Sequence, residues 1–485
     1  MTHGDPGTGI RRKVVVGAFA LLIRQGFVKA VQVAGGIVLA RLLTPADFGV
    51  YAIVSFVVAF FTLVGGAGLG AALIQQTGEP TDRVLRVVFT AQTLILLVAS
   101  AALLLLAPLL ADAYRLGEET VWLMRLLVVG LFASGLRTIP ELRLERALEF
   151  GRLSLADATQ AVVFQVVAIM LALNHLGPWS FGIAAVLGTV SGTIVANVLA
   201  PWRPGLAWDG ALLRNLLRFG LPYQGAGLIS FFKEAVNPVF VGVILGAVAV
   251  GYVNWATLVI AYPVIFVAVL NRLYFPVFSR LQDRPEALRP FAEAIIRWNV
   301  FVAVGVALPY LLMARYWTAT IFGEQWLPGV PLLFLCALGI PLGAAASPGL
   351  AILNAFGRSG EALFFTSLWM ATTWIFTVPA VMILGYVGFG VANALVQLTN
   401  PWFFRRVQTA ISISIWPSIW IVALASAVAA GAELGLLSVD PRLGEGLGPL
   451  VLAAVVVAAY VATWMLASAG KVREDVGAVR SALRR

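Results

Sequence analysis

Cysteine, histidine, lysine and charge in general are scarce in this 485-residue chain. Cys336 is the single cysteine, which excludes a disulfide framework and a thiolate metal site. His3 and His175 are the only histidines, so histidine-based catalysis or zinc binding has almost no residues to use. Charged residues make up 12% of the chain and hydrophobic residues 60%, with a mean hydropathy of +0.94. Soluble domains carry roughly 25% charge. No stretch between apolar runs is long or mixed enough for a separate soluble domain; the longest, 272–297, has room for a short loop or an interfacial helix. What the chain has instead is run after run of near-continuous apolar residues, each the length of a membrane-crossing helix rather than an alternating β-barrel strand. The first run is too long and too charged for a cleavable signal.

The runs predict an all-α integral membrane protein of fourteen helices, at about 14–40, 47–75, 84–108, 120–139, 153–174, 180–200, 219–245, 249–271, 294–314, 328–354, 361–384, 388–404, 412–432 and 448–469. Turn chemistry separates them at "TPAD", "TGEP", "NHLGPW", "PWRPG" and "VDPRLGEGLGP". With "RRK" at the N-terminus in the cytoplasm, twenty-five of the 33 cations fall on the cytoplasmic side, Arg137 and Arg297 among them. Four lie outside, and Arg24, Lys29, Arg125 and Lys233 lie within helices. Both termini are then cytoplasmic, and the net charge of +10 faces anionic headgroups rather than nucleic acid.

An internal repeat is faintly visible. "LARLLTPADFGVYA" follows the first helix and "GVILGAVAVGYVNWA" follows the seventh; aligning Gly49 with Gly251 also aligns Leu43 with Leu245, at an offset of 202 residues. Six helices between copies preserve orientation, which predicts two parallel lobes around a cavity. The expected organisation is a cytoplasmic segment (1–13), a six-helix lobe (14–200), a cytoplasmic linker (201–218), a second six-helix lobe (219–410), two additional helices (411–470) and a cytoplasmic tail (471–485).

"ARLLTPADFGVYAIVSFVVAFFTLVGGAGLGAALIQQ" closely resembles the second-helix region of the polysaccharide transporters, the Wzx-type oligosaccharide-lipid flippases of the multidrug/oligosaccharidyl-lipid/polysaccharide exporter superfamily. "RALEFGRLSLADATQAV", "PWRPGLAWDGALLRNLLRFGLP", "IFGEQWLPGVPLLFLCALGIPLG" and "LNAFGR" agree in order, so that the resemblance covers about residues 15–410. It implies two six-helix lobes around a central cavity. It also implies a non-enzymatic activity without cofactor: moving undecaprenyl-pyrophosphate-linked repeat units from the inner to the outer leaflet of a bacterial plasma membrane by alternating access. The partners it implies are that lipid-linked substrate, membrane lipids, and a polysaccharide polymerase and glycosyltransferases, around a monomeric transporter. The last two helices are an addition to the usual twelve.

The polar residues of helix 1 form one stripe. With Arg24 at zero, Gln32 falls at about 80°, Gln25 at about 100° and Lys29 at about 140°. In helix 7, Ser230, Lys233, Glu234 and Asn237 span about 100°. Lys29 precedes Gly49 by 20 residues and Lys233 precedes Gly251 by 18, which predicts similar depth in the two lobes. Only four lysines exist, Lys13, Lys29, Lys233 and Lys471, and two of them are mid-membrane. A charge at the bilayer centre costs about 2.5–3.5 kcal/mol on insertion scales, so each needs a reason. Given the resemblance, Arg24, Lys29, Lys233, Gln25, Gln32 and Asn237 are expected to line a cationic cavity that binds the carrier pyrophosphate. Two alternatives stay open. In one, Lys233 pairs with Glu234 or another helix and Arg24 snorkels to the membrane edge, although adjacent helical residues point about 100° apart. In the other, Glu234 and Lys233 form an ion-coupling site.

Glu234 reads as the sole membrane-embedded acid, which disfavours a drug or cation exporter. A glycan polymerase or ligase would be expected to present a large outer loop, and the longest outer segment, 433–447, is short and acidic. A scramblase is a further alternative. Arg125 reads as a snorkelling interfacial residue, "GGAGLGA" as close helix packing, and "ELRLERALEFGR" (141–152) as a solvated or interfacial cytoplasmic helix.

Overall fold

The computed structural model describes residues 26–75, 78–147, 149–282, 284–444 and 448–483; among them there is no strand. The chain divides into two compact units, Met1–Gly251 and Tyr252–Arg485.

The first unit holds α1 (26–42), α2 (Pro45–Gly66), α3 (Leu69–Gln75), α4 (Asp82–Ala113), α5 (Glu118–Arg146), α6 (Phe150–Leu173), α7 (Trp179–Leu199), α8 (Gly210–Glu234), a π-helical stretch at Val236–Val241, and α9 (Gly242–Leu245). The "TPAD" break begins α2 for a local reason. Thr44 accepts from the Asp47 N–H at 3.3 Å, the Asp47 carboxylate accepts from the Thr44 N–H at 2.8 Å, and Pro45 occupies the first turn. α6 and α7 make an extensive antiparallel contact in which Gly188 and Gly192, one turn apart, bring the backbones together. α8 packs on α3, α4 and α2.

The two repeat sequences meet. A Cβ on Gly49 would stand 1.7 Å from the carbonyl oxygen of Ala247, and a Cβ on Gly251 would stand 1.9 Å from that of Pro45. Each glycine thus faces the residue four positions before the other. Only glycine permits so close a backbone approach.

α10 (Ala247–Leu281) runs on into the second unit, which contains α11 (Pro285–Leu312), α12 (Ala314–Trp317), a π-helical turn at Thr318–Phe322, a 3-10 turn at Glu324–Gly329, α13 (Val330–Ala337), α14 (Ile340–Ala355), α15 (Ser359–Leu384), α16 (Val387–Val396), α17 (Asn400–Ile411), α18 (Trp416–Val439) and α19 (Gly448–Leu483). α11 is its axis. Phe301 stacks on Trp464 at 4.0 Å and on Tyr460 at 5.3 Å, and the Tyr460 hydroxyl donates to the Phe301 carbonyl at 2.9 Å. Asn299, buried, accepts from the Tyr274 hydroxyl at 3.0 Å and donates to the Ala344 carbonyl at 2.7 Å. The two C-terminal helices are therefore part of this unit's core rather than attached to its outside. α19 also continues as helix through 471–483, where a tail was expected.

Among the described residues nine helices are long and apolar enough to cross a membrane, or eleven if two bent pairs count as single spans. The bends are 43° between α8 and Val236–Leu245 and 48° between Glu324–Ala337 and α14. The expected segments from 47 onward fall largely on helix, and the first does so over its described part, 26–40. Those outside the count are 26–42, whose expected span starts before the described residues, α10, apolar over Ala247–Ala261, and the interrupted run 387–411.

Two readings of charge are refined by the structure. Arg137 and Arg297, counted with the cytoplasmic segments, lie inside α5 and α11 and are buried. The stretch from Glu141 is the end of α5 itself, with Leu142 and Leu144 buried, rather than a separate solvated helix. Arg146 secures that end by donating to the Leu73 carbonyl at 2.5 Å and to the Gly78 carbonyl.

Candidate functional site

Within the first unit α2, α5, α6, α7 and α8 surround a cavity of about 640 Å3. Its polar wall is built by helical spacing. Ser55 and Thr62 stand seven apart on α2, Ser134, Arg137 and Glu141 recur at three and four on α5, and Gln160 and Thr189 complete it from α6 and α7. Tyr51 and Phe231 supply aromatic surface. Phe231 is fixed there by stacking on Phe56 at 4.5 Å.

Arg137 organises the polar side. Its Nε donates to Glu141 Oε1 at 2.6 Å, Nη1 to Gln160 Oε1 at 2.5 Å, and Nη2 to Asp157 Oδ1. The guanidinium side chain is 8% exposed, whereas Glu141 and Asp157 are 36% and 37% exposed. A planar fork satisfied on three sides is what makes a buried arginine tolerable. Gly192 leaves the space for it: a Cβ there would stand 2.9 Å from Nη1. The cluster lies about 8–15 Å along the helices from the α5–α6 connection, counting 1.5 Å per residue.

The lysines behave differently. Lys29, on α1, is exposed and donates to Gln32 Oε1 at 3.1 Å. Lys233 and Glu234, the last residues of α8, are both exposed, and Lys233 makes no ion pair among the described residues. No pair forms between them, as their angular separation on the helix dictates. Asn237 follows in the π-helical stretch, with its Oδ1 buried and without a hydrogen-bond partner among the described residues. Arg24 and Gln25 lie outside the described residues. None of Lys29, Gln32, Lys233, Glu234 and Asn237 lines the 640 Å3 cavity. Lys233 is two residues, or about 200° of helix, from Phe231, which does.

Sequence reasoning missed Arg137, Glu141 and Asp157 as a site. The available signal was arginine and glutamate at i and i+4 in "RTIPE" and aspartate and glutamine at i and i+3 in "DATQ" of the next helix. Among the amide side chains of the other helices, Gln92 bonds Thr138 across helices at 2.8 Å and Asn299 is likewise interhelical, while Gln160 lines the cavity. Arg125 lies over the Trp122 ring at 4.7 Å, suited to an interfacial position. Glu234 is not the sole acid of the membrane helices: Glu433 is buried in α18. Among the described residues no group of histidine, cysteine and acids is placed to hold a metal.

Residues 38–331 match the polysaccharide biosynthesis protein family. The chain belongs to that family. It is a multi-pass membrane protein of polysaccharide biosynthesis. Among its relatives, the lipopolysaccharide biosynthesis protein WzxC of Escherichia coli is 23% identical over 81% of this chain and 80% of its own length. The succinoglycan biosynthesis transport protein ExoT of Rhizobium meliloti is 26% identical over 72% and 74%. Of solved structures, the lipid II flippase MurJ in its inward closed conformation superposes with a TM-score of 0.74 over 92% of this chain and 98% of that one, at 12% identity, and so shares the fold.

Proposed function

We propose that this family member is a flippase that carries undecaprenyl-pyrophosphate-linked oligosaccharide repeat units from the inner to the outer leaflet of a bacterial plasma membrane. The observation that carries the reading is the 640 Å3 cavity between apolar helices, with hydroxyl, amide and charged groups around Arg137 on one wall. A cavity of that size and polarity inside an apolar bundle suits a hydrophilic cargo that must cross lipid. Lys29 and Lys233, uncovered by the rest of the chain, together with Arg24, Gln25, Gln32 and Asn237, receive the pyrophosphate, and the prenyl tail stays in lipid. Two six-helix lobes related by the 202-residue offset alternate access, both termini face the cytoplasm, and the transporter works as a monomer beside a polymerase and glycosyltransferases. The test is export by a Lys29→Ala, Lys233→Ala double variant in cells lacking the wild-type gene. Surface glycan is expected to disappear while the protein still inserts at its normal level; normal export would sink the reading.

Glu141 in the cavity favours a second reading, a cation or drug exporter of the same fold. On that reading Glu141→Gln raises sensitivity to cationic drugs and leaves surface glycan intact; the flippase reading expects the reverse.

A further inference from the structure

The second unit has a cavity of its own, about 690 Å3, built where α11 and α18 end and α19 begins. Its wall is almost wholly apolar, with Leu312, Val330, Phe334, Leu437 and Leu452 typical of it. Two opposite charges interrupt that wall. Glu433, on α18, is 5% exposed, and among the described residues no donor or cation reaches it. Arg315, just beyond α11, is exposed and likewise forms no ion pair among them. A buried carboxylate without a partner is costly, and the arginine that shares its cavity does not pair with it. The geometry fits an occupant that brings a cation for Glu433 and an anion for Arg315 on an apolar body. Tyr316 and Trp317 follow Arg315 in the chain, and amphipathic rings of this kind sit at headgroup level in membranes.

We propose that this cavity binds phosphatidylethanolamine. The primary ammonium donates hydrogen bonds to Glu433, the phosphate meets the Arg315 guanidinium, and the acyl chains lie along the leucine and phenylalanine wall. The chemistry separates this lipid from its competitors. Phosphatidylglycerol offers the phosphate without the ammonium. Phosphatidylcholine offers the cation without an N–H and with three methyl groups around it.

The test is lipid retention by the delipidated full chain, reconstituted with each of the three lipids in turn and measured by native mass spectrometry. Wild type is expected to retain phosphatidylethanolamine roughly tenfold better than either competitor, the worth of one charge-assisted hydrogen bond. Glu433→Gln is expected to abolish the preference while leaving phosphatidylglycerol retention unchanged, and Arg315→Gln to weaken both lipids. Equal retention of all three by wild type, or an undiminished preference in Glu433→Gln, overturns the proposal. So does displacement of phosphatidylethanolamine by undecaprenyl phosphate to the same extent in wild type and Glu433→Gln, which would assign the cavity to a carrier lipid. Should Glu433→Gln fail to fold, the wild-type contrast between phosphatidylethanolamine and phosphatidylcholine decides alone.

Discussion

Arg137 and Arg297 are both buried arginines on long helices, one in each unit, and their carboxylate partners make them different devices. Arg297 Nη2 donates to Asp475 Oδ1 at 3.1 Å, and its Nε stands 2.9 Å from Oδ2. Both side chains of that pair are sealed, at 6% and 4% exposure. Arg137 is equally enclosed, but its acids Glu141 and Asp157 are more than a third exposed, and Glu141 lines the cavity. A sealed pair can only hold elements together. A buried cation whose counter-charges remain accessible can exchange them for groups on a cargo. The difference is one of partner exposure and not of the arginine, so charge counting along the chain cannot reveal it.

The contrast can be broken experimentally. Arg297→Ala should have the largest effect on stability, about 3–5 kcal/mol, because it strands a buried carboxylate. The measurement is thermal or denaturant unfolding of the purified protein, and a loss under about 1 kcal/mol would remove Arg297 from the structural role. Arg137→Ala should cost less stability, about 1–3 kcal/mol, since water in the cavity can solvate the released acids. Surface glycan should nevertheless fall further than in Arg297→Ala at matched protein level; equal export by the two variants would erase the distinction.

The smallest effect concerns pH. Burial pushes the Asp475 carboxyl above the ordinary aspartate value, outweighing the pull of Arg297. The folded protein then keeps a proton that the unfolded chain releases, so this site's stabilisation is full at acid pH and is lost as pH rises through the raised value. Unfolding midpoints of wild type should decline relative to Asp475→Asn as pH rises above the ordinary value of 3.8. A constant difference between the two proteins across that range would contradict the assignment.

Much of the fold was legible because its signals are local. Apolar run length located the helices, and Thr44, Pro45 and Asp47 marked the start of α2 through capping chemistry contained in four residues. The alignment of Gly49 with Gly251 singled out two glycines whose backbone approach is visible only in three dimensions. The site was less so. Lys29 and Lys233 stood out because lysine is rare, but nothing local says which helix faces they share with a cavity. Arg137 was counted with the cytoplasmic arginines that follow it, whereas its burial depends on Asp157 and Gln160 of α6 and on the room left by Gly192 of α7. Those relations span 20 to 55 residues, beyond the reach of a helical period.

α19 extends 36 residues, about 54 Å at 1.5 Å per residue, against a hydrocarbon core of roughly 30 Å. Its excess is clasped to α11 through Asp475. In genetic terms, a premature stop codon between positions 472 and 475 deletes a core residue rather than trimming an end. Such an allele should score as a folding mutant, with low protein abundance.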